Sequence, residues 1–267
     1  YDLNLVPLHH DEGVNGNFLV TLVREGRYRY DPANYHGPTL YYLTAVIPWA
    51  INSVFGAAAR DKYGLNTIVI RLLTAAFGIA TIYLIFVLRR NLGTIATLVA
   101  ALLLAISPGA VYLSRYYIHE TLFVFFTLGI VVAALRFYEQ RNPVYLLLAS
   151  ASAAMLFATK ETAMISAGVL LIALASTLIY RRLLGQSITQ TAKLGAGVNN
   201  FLERLGGSGL AIVWLFLSIH LFVGLNVLFY SSFFRNYPKG VYDSLATFDI
   251  WSKTGKTAHV HSGNTYL

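Results

Sequence analysis

The chain has 267 residues, of which 56% are apolar and only 12% are charged. Soluble domains carry about 25% charged residues, so this composition excludes an ordinary soluble enzyme, a disordered chain and a coiled coil. A mean hydropathy of +0.58 indicates a polytopic α-helical membrane protein. The net charge is +8, but no basic run exceeds two residues, which favours a membrane surface over nucleic acid as the partner. The absence of cysteine excludes disulfides and cysteine metal sites.

The first segment contains a predicted helix over residues 14–24. Its apolar side chains recur at helical spacing, at Val14, Phe18 and Leu22. Asp11 precedes this run, and an acidic residue in that position is typical of an N-cap. A capping role does not exclude a chemical one, because a cap residue is held in a fixed place.

Residues 38–56 are apolar and nearly long enough to cross a membrane, but they also contain Pro48, Trp49 and Asn52. These residues suit the membrane interface. We therefore predict an interfacial helix there, within an external first region of residues 1–66.

Six membrane spans are predicted in residues 67–231, because long runs without Asp, Glu, Lys or Arg are separated by short polar turns. A polar external tail follows at 232–267. The predicted spans are 67–88, 94–114, 118–137, 143–159, 162–180 and 208–231.

The distribution of charge supports this topology. With residues 1–66 outside, the inner loops contain only two acids, Glu139 and Glu203. This excess of bases follows the positive-inside rule and predicts a multi-pass protein of the cell membrane whose working face is external. The inner bases are Arg89, Arg90, Arg136, Arg141, Arg181, Arg182, Lys193 and Arg204.

The remaining charges near apolar runs converge on the external end. Charged side chains within a membrane cost about 2.5–3.5 kcal/mol on insertion scales, so such residues usually pair, face a cavity or serve a function. Simpler interpretations stay open: Arg71 snorkels to the interface, Arg115 and Glu120 form a structural ion pair, and Lys160 and Glu161 are solvated turn residues. The converging residues are Asp11, Glu12, Arg71, Arg115, His119, Glu120, Lys160 and Glu161.

The run HHDE at residues 9–12 suggests a metal site, but its spacing fits no standard helical metal motif. His36, His259 and His261 could add ligands only through the fold. No cofactor is therefore firmly implied, and a divalent metal stays an alternative.

Several short motifs follow one another in a fixed order over residues 9–162. They are His10-Asp11-Glu12, Tyr30-Asp31-Pro32, Tyr35-His36-Gly37-Pro38 through Tyr41-Tyr42, Arg71-Leu72 through Phe77-Gly78, Ser107-Pro108, Ser114-Arg115 through Glu120, and Ala158-Thr159-Lys160-Glu161-Thr162. In this order the chain resembles membrane glycosyltransferases of the GT-C superfamily. It is similar to dolichyl-phosphate-mannose protein mannosyltransferases and aminoarabinose lipid A transferases, and most similar to the archaeal and bacterial flippase-activity-associated family. Those proteins have a span before the acidic loop and more sequence at the end, so we expect a fragment.

The resemblance implies an all-α GT-C-like helical bundle that takes a sugar from a polyprenyl (dolichyl) phosphate and transfers it, with inversion, to a protein or glycan acceptor. It implies Asp11 as the general base, with Glu12 orienting it or pairing with a cation. It implies Arg71, Lys160 and Arg115 as ligands of the lipid phosphate. The supporting residues it implies are His10, Tyr35, His36, His119, Glu120 and Glu161.

Two positions depart from the related families. Glu120 stands where mannosyltransferases more often carry Asp, and His36-Gly37 stands where the lipid A enzymes have an acidic and a basic residue. The sugar and the acceptor are therefore not predicted.

Two other functions stay open. One is a flippase or flippase-associated component for lipid-linked oligosaccharides. The other is an assembly factor that uses the small-residue run 149–154 for helix packing. The glycines of 180–207 lack phosphate-loop spacing, which argues against nucleotide binding. In the tail, Lys256, His259 and His261 could approach an acceptor.

Overall fold

The computed structural model describes residues 3–34, 36–183 and 201–254. This part of the chain is helical and contains no strand, apart from one isolated bridge between His36 and Lys160. The prediction of an all-α polytopic membrane protein is confirmed. The main helices are α1 (His10–Glu25), α2 (Thr39–Phe55), α3 (Thr67–Val87), α4 (Thr94–Ile106), α5 (Pro108–Ser114), α6 (Glu120–Gln140), α7 (Val144–Phe157), α8 (Ala163–Leu183), α9 (Ser208–Tyr230) and α10 (Lys239–Thr254).

Among the described residues, four helices are long and apolar enough to cross a membrane: α3, α6, α8 and α9. Helices α4 and α5 make a fifth span if they are taken as one, although they meet at 63°. Helix α7 has 14 residues, which is about 21 Å and less than the roughly 30 Å of a bilayer core. Each predicted span therefore coincides with a helix or a bent pair, but 143–159 forms a shorter helix than the prediction assumed.

Helix boundaries follow local sequence. The side chain of Asn66 caps α3 by accepting from the Val69 amide at 3.0 Å. Ser107 and Pro108 break the fourth predicted span, because Ser107 caps α5 and Pro108 occupies its first turn.

Helix α1 differs from the prediction in its start and its buried face. Its N-cap is His9, not Asp11, and the His9 amide donates to the Glu12 carboxylate at 3.1 Å. Val14 is exposed, whereas Glu12 and Asn15 are buried. The predicted face was wrong in part, because α1 buries polar side chains that find partners inside the fold.

Helix α2 occupies the stretch predicted to lie in the interface. Its first half is buried, including Leu40, Tyr41 and Ala45, while Val54 and Phe55 near its end are exposed. Helix α2 packs against α1, and its apolar end faces the surroundings of the protein.

Helices α6, α7 and α9 pack side by side through small residues. The Ser150 hydroxyl donates to the Ser218 carbonyl at 2.5 Å, and a Cβ on Gly129 would lie 3.0 Å from the Ser152 hydroxyl. The small-residue run 149–154 thus serves packing within the chain.

The connections at one end of the bundle form a shared cap over the helices. This end carries α1, α2, the turn at 115–119 and the turn at 158–162. Helix α10 joins it, because the Tyr30 and Thr247 hydroxyls lie 2.6 Å apart. Part of the predicted tail is thus an ordered helix, while Lys256, His259 and His261 lie outside the described residues.

Gly37 allows the segment before α2 to cross the turn before α8. The Gly37 amide donates to the Thr159 carbonyl at 3.0 Å, and the Thr39 hydroxyl donates to the Ala158 carbonyl at 2.7 Å. A Cβ at Gly37 would lie 2.0 Å from the Ala158 carbonyl oxygen. Only glycine therefore permits this approach of two backbones.

We expect Gly37→Ala to lower the free energy of unfolding by at least about 1–3 kcal/mol, because backbone must move to relieve the overlap. Thermal unfolding in detergent micelles would measure it. Gly16→Ala is the matched control, since a Cβ there meets nothing within 4 Å and alanine favours the helix. Equal stability of the two variants would contradict the role of Gly37.

Candidate functional site

The acidic pair predicted from sequence divides into one buried and one exposed carboxylate. Glu12 has a side-chain exposure of 0%, whereas the Asp11 side chain is 62% exposed. Adjacent residues of a helix point in different directions, so the start of α1 directs one acid inward and the other outward. The Asp11 carboxylate lies 3.8 Å from the His9 ring, and His10 beside it is exposed.

The buried Glu12 forms a bidentate ion pair with Arg71 of α3. The Nε–Oε1 distance is 2.7 Å and the Nη2–Oε2 distance is 2.6 Å. The Tyr117 amide also donates to Oε1 at 2.9 Å, and the His9 amide to Oε2 at 3.1 Å. Each carboxylate oxygen thus accepts two hydrogen bonds.

Hydrogen bonding sets the protonation of Glu12. Burial raises the pKa of the Glu12 carboxyl, but hydrogen bonds from Arg71, Tyr117 and His9 outweigh burial and leave this pKa below its usual value. Glu12 is therefore ionised at neutral pH, which suits a positioning role and gives it no proton to exchange.

The second half of the Arg71 guanidinium binds backbone. Nη1 donates to the carbonyls of Leu3 at 2.7 Å and Val6 at 2.9 Å, and Nη2 donates to that of Pro7 at 3.2 Å. With the two bonds to Glu12, all five N–H donors of the guanidinium are used. The phosphate-binding role predicted for Arg71 has no free donor in this structure.

A polar network extends from Glu12 into the cap. The Asn15 amide donates to the Tyr117 carbonyl at 3.0 Å and accepts from the Tyr41 hydroxyl at 2.9 Å. The Tyr117 hydroxyl donates to Thr44 at 3.0 Å. No role was predicted from the sequence for Asn15, Tyr41 or Tyr117. The signal for Asn15 was its place three residues after Glu12, on one face of the helix.

The turn at 115–119 connects this network to His119. Its Nε2 donates to the Gly37 carbonyl at 3.1 Å, and its Nδ1 is buried with no hydrogen-bond partner among the described residues. The His119 and His36 rings lie 4.8 Å apart, and His36 Nδ1 lies 3.4 Å from Glu161. The predicted supporting residues His36, His119 and Glu161 are thus brought together, whereas Tyr35 lies outside the described residues.

Lys160 lies beside this group, and within the described residues its ammonium has donors that no acceptor takes. Its ammonium is 2.8 Å from Glu120, at side-chain exposures of 20% for Lys160 and 37% for Glu120. An ammonium has three N–H donors, and Glu120 takes one of them. Arg71 and Lys160 lie at the same end of the bundle, as the predicted topology required.

An apolar cleft of about 440 Å³ ends at these polar groups. Helices α3, α4, α5 and α6 form its walls, and Arg115 and Glu120 lie on its lining. Gly78 brings α3 against α5, since a Cβ there would lie 2.4 Å from the Ser114 hydroxyl. The apolar lining includes Ala75, Ile79, Ile82, Leu104, Val111 and Val124.

Within the described residues, no three His, Asp or Glu side chains form a group that could hold a metal ion. Arg115 and Glu120 place a cation and a carboxylate on the lining of the apolar cleft.

A family model described as dolichyl-phosphate-mannose-protein mannosyltransferase matches residues 43–198. The chain belongs to this family. It is therefore a multi-pass membrane glycosyltransferase of the GT-C type. No curated protein and no solved structure matches the chain.

The matched region contains Arg71, Arg115, Glu120 and Lys160 but begins after Asp11 and Glu12. The narrower similarity to the flippase-activity-associated family gains no support from this match.

Replacing Glu12 by Gln should lower the free energy of unfolding by about 3–5 kcal/mol, because the buried Arg71 would lose its carboxylate partner. Since the pKa of Glu12 is lowered in the fold, its stabilisation is present above the ordinary glutamate pKa and is lost as pH falls through the lowered value. Unfolding of both proteins at a series of pH values would measure the two effects.

Glu25→Gln is the control, because Glu25 forms an exposed pair with Arg27 at 2.9 Å and such pairs contribute about 0–1 kcal/mol. Equal losses in the two variants would contradict the importance of the buried pair.

Proposed function

We propose that the protein transfers a sugar from a polyprenyl phosphate to a protein or glycan acceptor. In this proposal Asp11 is the general base, and Lys160 and Arg115 bind the lipid phosphate. The observation that carries it is the apolar cleft that ends at Arg115 and Glu120, with the Lys160 ammonium on Glu120.

The cleft suits both parts of the donor. A polyprenyl chain is apolar and its phosphate is anionic, so a binding site needs an apolar groove with cations at one end. The cleft has apolar walls and carries Arg115 on its lining. Lys160, held by Glu120, adds a second cation near that end.

The two strongest cation candidates have different tasks. Arg71 has all five donors engaged with Glu12 and backbone carbonyls, so we assign it to positioning α1 and the turn at 115–119. Lys160 retains two donors and is partly exposed, so we assign the phosphate to it together with Arg115. Binding of a phosphate would stabilise the developing charge of the leaving group.

The acids are divided in the same way. Asp11 is exposed and can approach an acceptor, whereas Glu12 is saturated with hydrogen bonds. Asp11 takes the proton of the acceptor hydroxyl as that oxygen attacks the anomeric carbon. The bond from this carbon to the phosphate oxygen breaks, the phosphate leaves with the electron pair, and the anomeric centre inverts. A phosphate is a good leaving group and needs no general acid.

We further propose that this end of the bundle faces the outside of the cell membrane. The opposite end carries Arg89, Arg90, Arg136 and Arg204, with Glu139 as the acid that pairs there with Arg136. An excess of bases marks the cytoplasmic side.

Replacing Asp11 by Asn in the full-length protein should lower kcat by about 10²–10⁴, because general base catalysis contributes that factor. Transfer from a panel of radiolabelled polyprenyl-phosphate sugars in native membranes would measure it. Asp61→Asn is the control, since Asp61 is an exposed partner of Arg60 and Arg24.

Undiminished transfer by the Asp11 variant would remove Asp11 from the mechanism. Absence of transfer by both proteins, with flipping of lipid-linked oligosaccharide in proteoliposomes intact, would favour the flippase function instead.

Lys160→Gln should raise KM for the donor by about 10–100-fold, because a charge-assisted hydrogen bond contributes about 1.5–3 kcal/mol. Glu120→Gln also breaks the ion pair but leaves the Lys160 charge in place, so this variant should not raise KM. Titrations of the donor with both variants would measure the two KM values. A similar rise in the two variants would show that the ion pair, not phosphate binding, is what Lys160 provides.

A further inference from the structure

A second cleft lies at the other end of the bundle, away from the candidate site. Its volume is about 690 Å³, and it is lined by α3, α6, α7 and the turn after α3. We call it the basic cleft, because arginines lie at its mouth. The lining includes Tyr83, Phe125, Gly129, Leu148, Arg89 and Arg90.

Two positive charges at this mouth have no carboxylate partner among the described residues. Arg136 forms an ion pair with Glu139, with an Nη1–Oε2 distance of 2.9 Å. Arg89 and Arg90 are exposed, and in residues 3–34, 36–183 and 201–254 neither lies within ion-pair distance of a carboxylate. The Arg89 guanidinium lies over the Phe86 ring, 5.1 Å from its centre. The N–H edge of the guanidinium is therefore available to an anion.

The interior of the basic cleft is long and largely apolar. Its lining on α6 extends from Phe125 to Gln140, which is about 22 Å of helix. Gly129 and Ala133 of α6 form its floor, Tyr83 of α3 lies on one side, and Leu148 of α7, on the other side, is half exposed. The space thus runs from the basic mouth toward the middle of the bundle.

We propose that the basic cleft binds an anionic glycerophospholipid, with the phosphate at Arg89 and Arg90 and an acyl chain between α3 and α7, along α6. Charge complementarity identifies the head group, since a zwitterionic lipid brings no net negative charge to offset the two arginines. The apolar interior identifies the tail, since a free phosphate needs no such wall. Basic pockets between membrane helices favour anionic head groups.

Native mass spectrometry of the full-length protein in detergent, offered equal amounts of phosphatidylglycerol and phosphatidylcholine, tests the proposal. The wild type should retain phosphatidylglycerol over phosphatidylcholine by at least about ten-fold, and Arg89→Gln/Arg90→Gln should lose that preference. Leu148→Trp fills the cleft without changing charge and should also reduce retention.

The double variant Arg181→Gln/Arg182→Gln is the matched control. It removes the same charge from the end of α8, which contributes no described residue to the basic cleft, and should keep the preference. Equal loss in both double variants would overturn the proposal in favour of a diffuse surface charge. No preference in the wild type would also overturn it, as when a second copy of the chain fills the cleft. Displacement of phosphatidylglycerol by dolichyl phosphate would assign the basic cleft to the donor instead.

Discussion

The buried ion pair between Glu12 and Arg71 is the interaction on which the cap of the bundle depends. It joins α1 to α3, and its remaining hydrogen bonds hold residues 3–7 and the turn at 115–119. Removing two charges from water costs several kcal/mol per ion, so such a pair persists only where every donor and acceptor is satisfied. Here both carboxylate oxygens and all five guanidinium donors have partners.

This pair gives the neighbouring residues different chemistry. Glu12 is fixed in its ionised form, which leaves Asp11, exposed on the next position of the helix, as the acid that can reach an acceptor. In the same way, saturation of Arg71 leaves Lys160, with one donor committed to Glu120, as a cation that can still bind a phosphate. In the proposed mechanism, the structural and the chemical tasks therefore fall to different members of each pair.

Much of the fold was predictable from the sequence, because hydrophobic runs and loop charges are local signals. The spans at Thr67–Val87 and Ser208–Tyr230 and the gathering of charges at one end follow from them. The saturation of Arg71 was not predictable, since three of its partners are backbone carbonyls some 65 residues away that carry no sequence signature. The buried face of α1 was misjudged for a related reason: Asn15 reads as a surface residue until Tyr117 and Tyr41 are placed against it.

In the proposed mechanism, Arg71 positions the site while Lys160 and Arg115 bind the lipid phosphate. A cryo-electron microscopy structure of the full-length protein with a bound polyprenyl phosphate would distinguish these roles. We expect phosphate density within hydrogen-bond distance of Lys160, with the Glu12–Arg71 pair intact. Phosphate density on the Arg71 guanidinium, with Glu12 displaced, would contradict it.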